Sequence, residues 1–339
     1  MIKKSYPNIE IIEGDLDDGE KLLAAAAEAD VVLSQYQSGT SMRTAKLSKM
    51  NDYRSCSYES PSRLQGSSQR CFNEETWYVQ SAFLAIWSAS ETDFAMIAHF
   101  IQISGATMVS QDEIKAGNFG NASPDQYDDV NDQGKVRQII RKHQNRLVDS
   151  QFLNVAEQPS PVKSALIIPS QISGRGRGPI NQRSIQIPEL ARIALEKKHA
   201  VQIGAGENIW SNIHISDLSY MLLKLVENAS SRDADDQGWG RNGLFFAGSN
   251  PGISFSQIAN LISHAAQKEG LFSDSRVEKI TAAEADALSP HASAIVGTNA
   301  RTLSKKAQRV LGWSAGGPGL EDEVSVTVVK EARRLQARS

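Results

Sequence analysis

Apolar and polar positions fall into blocks along this chain, and the blocks change period several times. Asn8 to Leu16 is rich in isoleucine and runs into Gly14-Asp15, which predicts a strand ending in a loop. Asp17 to Ala29 carries Leu22, Leu23 and a run of alanines, all good helix formers. Asp30-Val31-Val32-Leu33-Ser34 is a short continuous apolar run of the kind that suits a strand buried on both faces. Strand, helix and strand in that order predict a βαβ unit, and with it a parallel sheet in an α/β fold.

The pattern is lost from Gln35 to Glu75, where Ser, Gln, Arg, Asn and Tyr alternate without a period. Unpatterned stretches of this length predict a lid, an insertion or disorder, and a disordered or poorly packed insertion is expected here. Trp77 to Trp87 can be helical, with Phe83, Leu84 and Trp87 on one side. His99 to Gly105 predicts a strand that ends on a Ser-Gly turn, and Gln111 to Gln133 is polar and loop-like. Lys135 to Gln158 predicts one long helix, and Val162 to Ile168 a strand stopped by Pro169. Further helices are expected at Gln186–Lys197, Asp217–Ala229, Ser254–Glu269, Leu303–Leu311 and Glu321–Leu335. Short strands near Ala200–Ile203 and Leu244–Phe246 fall between them, with Ser254 as an N-cap and Gly270 as a helix stop. No internal repeat is present.

Composition narrows the class. The 339 residues carry 36 Lys and Arg against 39 Asp and Glu, a formal charge of −3, with 40% apolar and 22% charged residues. That profile is ordinary for a globular protein and argues against a dedicated nucleic-acid binder. No run of about 18 apolar residues predicts a membrane span, and Met1 to Asn8 lacks the apolar core of a secretory signal. Two cysteines, Cys56 and Cys71, cannot make a disulfide framework, so reduced thiols in the cytoplasm are expected. The six histidines show no metal-ligand spacing, and no metal site is expected. A small-molecule substrate is the expected partner, with a homo-oligomer left open.

Six segments, taken in order, carry a resemblance: Gly14-Asp15-Leu16-Asp17-Asp18, Asp30-Val31-Val32-Leu33, Ile101-Gln102-Ile103-Ser104-Gly105, Ile167 to Gly176, Trp210 to Leu218, and Asn299-Ala300-Arg301 with Leu311-Gly312-Trp313. They resemble the extended short-chain dehydrogenase/reductase superfamily, the NAD-dependent epimerase/dehydratase-like group, most of all a fungal NmrA-like branch. The similarity is dense from about His99 onward, present over residues 8–34 and absent between. It implies a Rossmann-type parallel sheet with a smaller C-terminal α/β substrate domain. NAD or NADP would lie across the carboxyl ends of the strands. The implied division is a partial Rossmann unit at 1–34, an irregular insertion at 35–75, the rest of the Rossmann domain at 76–180 and a substrate domain at 181–339. Asp15 and Leu16 would contact the adenine, Ser34 would flank the cofactor, and Pro169 and Ser170 would lie near the nicotinamide. Asn181, Arg183, Trp210 and His214 would fall around the substrate cleft.

The chain departs from that family in two places. No Gly-x-x-Gly-x-x-Gly turn opens the sequence, and Gly174-Arg175-Gly176-Arg177-Gly178 and Gly204-Ala205-Gly206 come too late to replace it. The parallel sheet is therefore expected to be incomplete at its N-terminal side, or patched by residues of the insertion. The family also implies a Tyr as general acid/base with a Lys four residues on, and a Ser that polarises the substrate carbonyl. Ser104 fits the serine, but the residue four places after Tyr127 is Asn131, and Lys135 is eight places on. A phenol with no adjacent cation is a poor proton donor at neutral pH. Each candidate has a plainer role to set beside it: a strand-end turn for Ser104, a surface tyrosine for Tyr127, a structural histidine for His214, an N-cap for Asp217. Two functions follow as expectations: an NAD(P)-dependent oxidoreductase or epimerase acting on a small carbonyl or alcohol, or a non-catalytic NmrA-like binder of a dinucleotide or metabolite.

Overall fold

A computed structural model describes residues 31–37, 40–47, 99–158, 162–178, 181–229 and 236–337. The predicted elements at Asn8–Leu16, Asp17–Ala29 and Trp77–Trp87, and with them Asp15 and Leu16, lie outside the described residues. The chain order begins β1 (Val31–Gln37), β2 (Thr40–Leu47), β3 (His99–Ile103), α1 (Gln111–Ala116), β4 (Tyr127–Asp128), α2 (Gln133–Lys142), α3 (Leu147–Ala156), β5 (Lys163–Pro169) and β6 (Gln171–Ser173). It continues with α4 (Gln186–Lys197), β7 (Ala200–Ile203), β8 (Ile209–His214), α5 (Ile215–Ala229), β9 (Leu244–Ala247), β10 (Asn250–Ser254) and α6 (Phe255–Lys268). Last come β11 (Val277–Ile280), α7 (Ala282–Leu288), α8 (Ala292–Val296), β12 (Thr302–Leu303), α9 (Lys305–Leu311) and α10 (Leu320–Gln336).

The main sheet has the order β2-β1-β3-β5-β9, and β1, β3, β5 and β9 are mutually parallel. Their side chains divide strictly by parity between two faces. Val32, Phe100, Leu166, Ile168, Leu244 and Phe246 enter one apolar cluster with Val136, Ile140, Phe152 and Leu153 of α2 and α3. Val31, Ile101, Ala165, Ile167, Phe245 and Ala247 enter the other with Leu218, Met221 and Leu225 of α5. Both faces are buried, which is why these strands read as continuous apolar runs. The result is a three-layer α/β protein with a Rossmann-type sheet.

Three elements differ from what the pattern predicts. The long helix expected over Lys135–Gln158 is two helices, α2 and α3, because His143 is extended and its carbonyl accepts the Arg146 amide in a turn. The Asn145 amide reaches across to Gln111 at 2.7 Å, a bond that an unbroken helix could not make. The polar stretch from Gln111 holds a short helix, α1, and a short strand, β4, which pairs with β12. Within the unpatterned region, β1 runs on to Gln37, and Thr40–Leu47 pairs back on it antiparallel as β2. β1, β3, β5 and β9 cross the sheet in chain order, and β2 lies on the other side of β1, antiparallel to it.

The remaining small sheets are β10-β8-β6, β11-β7 and β12-β4. The α6 helix begins with a complete capping box of Ser254 and Gln257, as the sequence predicts at Ser254. Among the described residues no helix is long and apolar enough to cross a membrane, and no group of three or more His, Cys, Asp or Glu is placed to hold a metal ion.

One buried carboxylate ties the layers together. Asp129 accepts the Lys305 and Lys306 amides at 2.8 and 2.9 Å, so it caps α9, and its other oxygen accepts the Phe246 amide of β9 at 3.1 Å. Burial pushes this carboxyl up to about 6 against the pull of those three donors. The folded value lies above the ordinary 3.8, so ionisation costs the folded state, and Asp129's contribution to stability declines as pH rises through about 6. Asp129→Asn turns an amide NH2 toward a backbone donor and is expected to cost about 1–3 kcal/mol. Urea unfolding at several pH values checks both points: the wild type's margin over Asp129→Asn should narrow as pH rises from about 4 to about 7. A margin that widens over that range contradicts the assignment.

Candidate functional site

In an open α/β sheet, ligands bind outside the carboxyl ends of the parallel strands. Here those ends include the residues after Ile103, Pro169 and Ala247. Ser104 stands one residue beyond β3, and its amide donates to Ile167 O at 2.8 Å, the last rung of the β3–β5 ladder. Among the described residues, a Cβ built on the following Gly105 would meet nothing within 4 Å.

The Ser104 hydroxyl has a cationic partner. Arg146 Nη2 donates to Ser104 Oγ at 2.8 Å and lies 2.5 Å from Asp149 Oδ2. Arg146 is the N-cap residue of α3, and Asp149 sits in the first helical turn, where negative charge is favoured. Both side chains are largely buried, at 17% and 6% exposure, so the ion pair is shielded from solvent. Because Ser104 Oγ accepts from the guanidinium, its own proton is left to point elsewhere and can be donated to a ligand oxygen. Sequence reading missed Arg146. The available signal was a cation three residues ahead of an acid at a helix start.

Tyr127 belongs to β4. Its amide donates to Arg301 O, and the strand pairs with Thr302. Burial, and the negative charges of Asp125, Asp112, Glu113 and Asp132, push the phenol up to about 12. Lys135 Nζ rests over the ring face, 4.8 Å from its centre, and not beside the hydroxyl. The Ser104 hydroxyl is served by Arg146 instead.

The remaining candidates are distributed over several environments. The Ser34 backbone pairs with Gln102 on β3, at the carboxyl half of β1. Pro169 ends β5 opposite Ala247. The Ser170 hydroxyl is buried and bonded to Thr302 Oγ1 at 2.8 Å. Trp210 is buried, and its indole N–H donates to Thr298 O at 2.8 Å. Asn181 Oδ1 accepts the Arg183 amide at 3.1 Å. Arg183 is clamped between Glu331 of α10 and Glu189 of α4, at 2.8 and 2.6 Å. His214 shares a 2.6 Å hydrogen bond through Nδ1 with Ser216, and Nε2 lies 3.7 Å from Glu323. Gly174 packs against that ring so closely that a Cβ would fall 2.1 Å from Nε2. The structure thus brings Ser104 together with Arg146 and Asp149. Trp210, Arg183 and Ser170 are each engaged by partners within the fold.

This sheet, with helices on both faces, is a Rossmann-type fold, and comparison with solved structures finds the same fold elsewhere. One is the PbgP3 protein of Burkholderia pseudomallei, with TM-score 0.55 and 14% identity over 96% of this chain and 83% of that one. Another is dTDP-glucose 4,6-dehydratase of Bacillus anthracis in complex with NAD, with TM-score 0.53 and 12% identity over 98% and 83%. In sequence, the chain is similar to oxidase ucsJ of Acremonium sp., 29% identical over 336 residues, which cover 97% of this chain and 86% of the oxidase. No protein-family model matches the chain.

The Arg183 clamp generates a stability prediction. Glu331 is 5% exposed and also bonded to Arg334. Arg183→Ala removes one of its two cations and is expected to cost about 1.5–3 kcal/mol of unfolding free energy. Chemical denaturation checks this; a loss under about 0.5 kcal/mol, the level of an exposed pair, would remove the clamp from the stability of the fold.

Proposed function

We propose that the chain is an NAD(P)-dependent oxidoreductase or epimerase-like enzyme that acts on a small carbonyl or alcohol metabolite in the cytoplasm. The Ser104–Arg146 pair at the carboxyl edge carries this reading, and the likeness to an oxidase over nearly the whole chain supports it.

The residues at the nicotinamide end fit a dinucleotide: a cation-bonded hydroxyl at Ser104, a Gly105 uncrowded by the described residues and the Pro169–Ser170 strand end. Ser34 would flank the cofactor from β1. At the pyrophosphate end the described residues offer no strand, glycine turn and helix beside β1, since β2 runs there antiparallel. When bound, a nicotinamide would supply or accept the hydride. Ser104 would then donate its proton as a hydrogen bond to the substrate oxygen, with Arg146 holding the hydroxyl and adding positive charge where negative charge develops. Asp149 fixes the guanidinium in place. His214 and Arg183 would border the substrate side, and Tyr127, held near 12, would remain a neutral phenol.

A second reading is specifically favoured by Tyr127 and β2: a non-catalytic, NmrA-like protein whose edge binds a dinucleotide or metabolite and performs no redox step. Titration with NADH and with NADPH, followed by tryptophan fluorescence, addresses the cofactor in both. Turnover across a panel of aldehydes, ketones and secondary alcohols separates the two readings. Enzyme action predicts turnover that falls about 10²–10³-fold in Ser104→Ala, the loss typical of one oxyanion donor. Cofactor binding with no turnover leaves the binding protein, and no binding at millimolar cofactor overturns the enzyme and leaves the second reading only as a metabolite binder.

A further inference from the structure

We propose that Arg146 is the fixed positive charge of the reacting centre, and that with Ser104 it receives a ligand oxygen that bears or gains negative charge: a carboxylate, or a carbonyl on its way to an alkoxide or enolate. Its part in turnover rests on the oxidoreductase reading above; its part in binding does not.

A single guanidinium nitrogen, Nη2, bridges Ser104 Oγ and Asp149 Oδ2, so the hydroxyl is aligned by an ion pair anchored in the first turn of α3. Phe152 of the same helix stacks on Phe100 of β3, with ring centres 5.7 Å apart, and this packing holds helix and strand in register. Arg146 Nε is buried and has no hydrogen-bond partner among the described residues, so the contacts of this guanidinium with Ser104 and Asp149 run through Nη2. Arg183 is different: its Nε, Nη1 and Nη2 all meet carboxylates. Nearby lysines are committed elsewhere, Lys142 to Asp112 at 2.7 Å and Lys135 to the Tyr127 ring. Arginine presents its donors on a rigid, planar, directional fork. The pair therefore stabilises charge on an oxygen, and no proton need leave the protein for it to act.

The full chain can be tested with sodium oxalate, a small dicarboxylate, by isothermal titration calorimetry. Wild type should bind it, and Ser104→Ala and Arg146→Met should each weaken binding about tenfold or more, the loss of one charge-assisted hydrogen bond. Arg146→Lys keeps the charge and should stay within about threefold of wild type, a rescue that a purely structural role would not give. Wild type that fails to bind oxalate, or Arg146→Met that binds it as wild type does, overturns the proposal. Should Arg146→Met fail to fold, the contrast between Ser104→Ala and Arg146→Lys decides it: equal affinities overturn it. Oxalate binding without NADH or NADPH binding would sink the redox reading alone, and the reverse result would sink this one alone.

Discussion

The hydrogen bond from Ser104 N to Ile167 O closes the β3–β5 ladder, and the geometry of the site follows from it. In a sheet buried on both faces, a slip of one residue would exchange every side chain between the two apolar clusters. Phe100 and Ile101 belong to different clusters, as do Leu166 and Ile167, so the register of these strands is fixed by packing on both sides. Ser104 consequently emerges at one place on the carboxyl edge. Arg146 is delivered to it by α3, whose Phe152 and Leu153 pack on the same face as Phe100. Core and site are one arrangement, and a cavity cut at Phe152 would disturb the Ser104 hydroxyl some distance from the deletion.

The opposite side of β1 poses a different physical problem. A strand buried in the interior cannot leave its backbone amides and carbonyls unpaired. Here the partner is β2, antiparallel and reached across only Ser38-Gly39, and it pairs with β1 from Val31 to Gln37. An antiparallel neighbour satisfies the hydrogen bonds as well as a parallel one does. It reverses the chain direction, however, so what stands beside the carboxyl end of β1 is the start of β2 at Thr40, and the end of β2 at Leu47 lies at the opposite edge. The sheet is completed mechanically while its edge is altered chemically.

The sequence announced most of this fold where the chain is buried on both sides. The runs at Val31–Leu33, His99–Ile103 and Val162–Ile168 could be read because burial on two faces demands continuous apolar residues. The helix Gln186–Lys197 was legible to the residue, since its apolar stripe is periodic and its ends are polar. The break between α2 and α3 was hidden: Asn145 and Arg146 are acceptable in a helix, and tertiary bonds to Gln111 and Ser104 hold them at the break. β2 was hidden because its residues carry no alternation, and its pairing depends on β1 and not on its own pattern. Ser104 could be picked out from the strand-to-turn context. Arg146 was missed, because its one signal, an acid three residues on, is equally that of a solvated helix start, and only the fold brings it against Ser104.

An arginine beside the hydroxyl also limits the chemistry this edge can perform. Guanidinium does not give up its proton in a protein, so it holds charge without relaying protons. A phenol with an adjacent amine can do both, but Tyr127 is buried near carboxylates, is raised to about 12 and has Lys135 on its ring face. The described groups at the Ser104 edge therefore favour reactions in which an oxygen gains negative charge and keeps it while the bond to carbon changes. On the proposed reading, any proton that the product finally requires would arrive from solvent, from the substrate or from residues beyond this edge. This division, with fixed charge supplied by the edge and a mobile proton supplied from outside it, distinguishes the edge from one built on a tyrosine and a lysine.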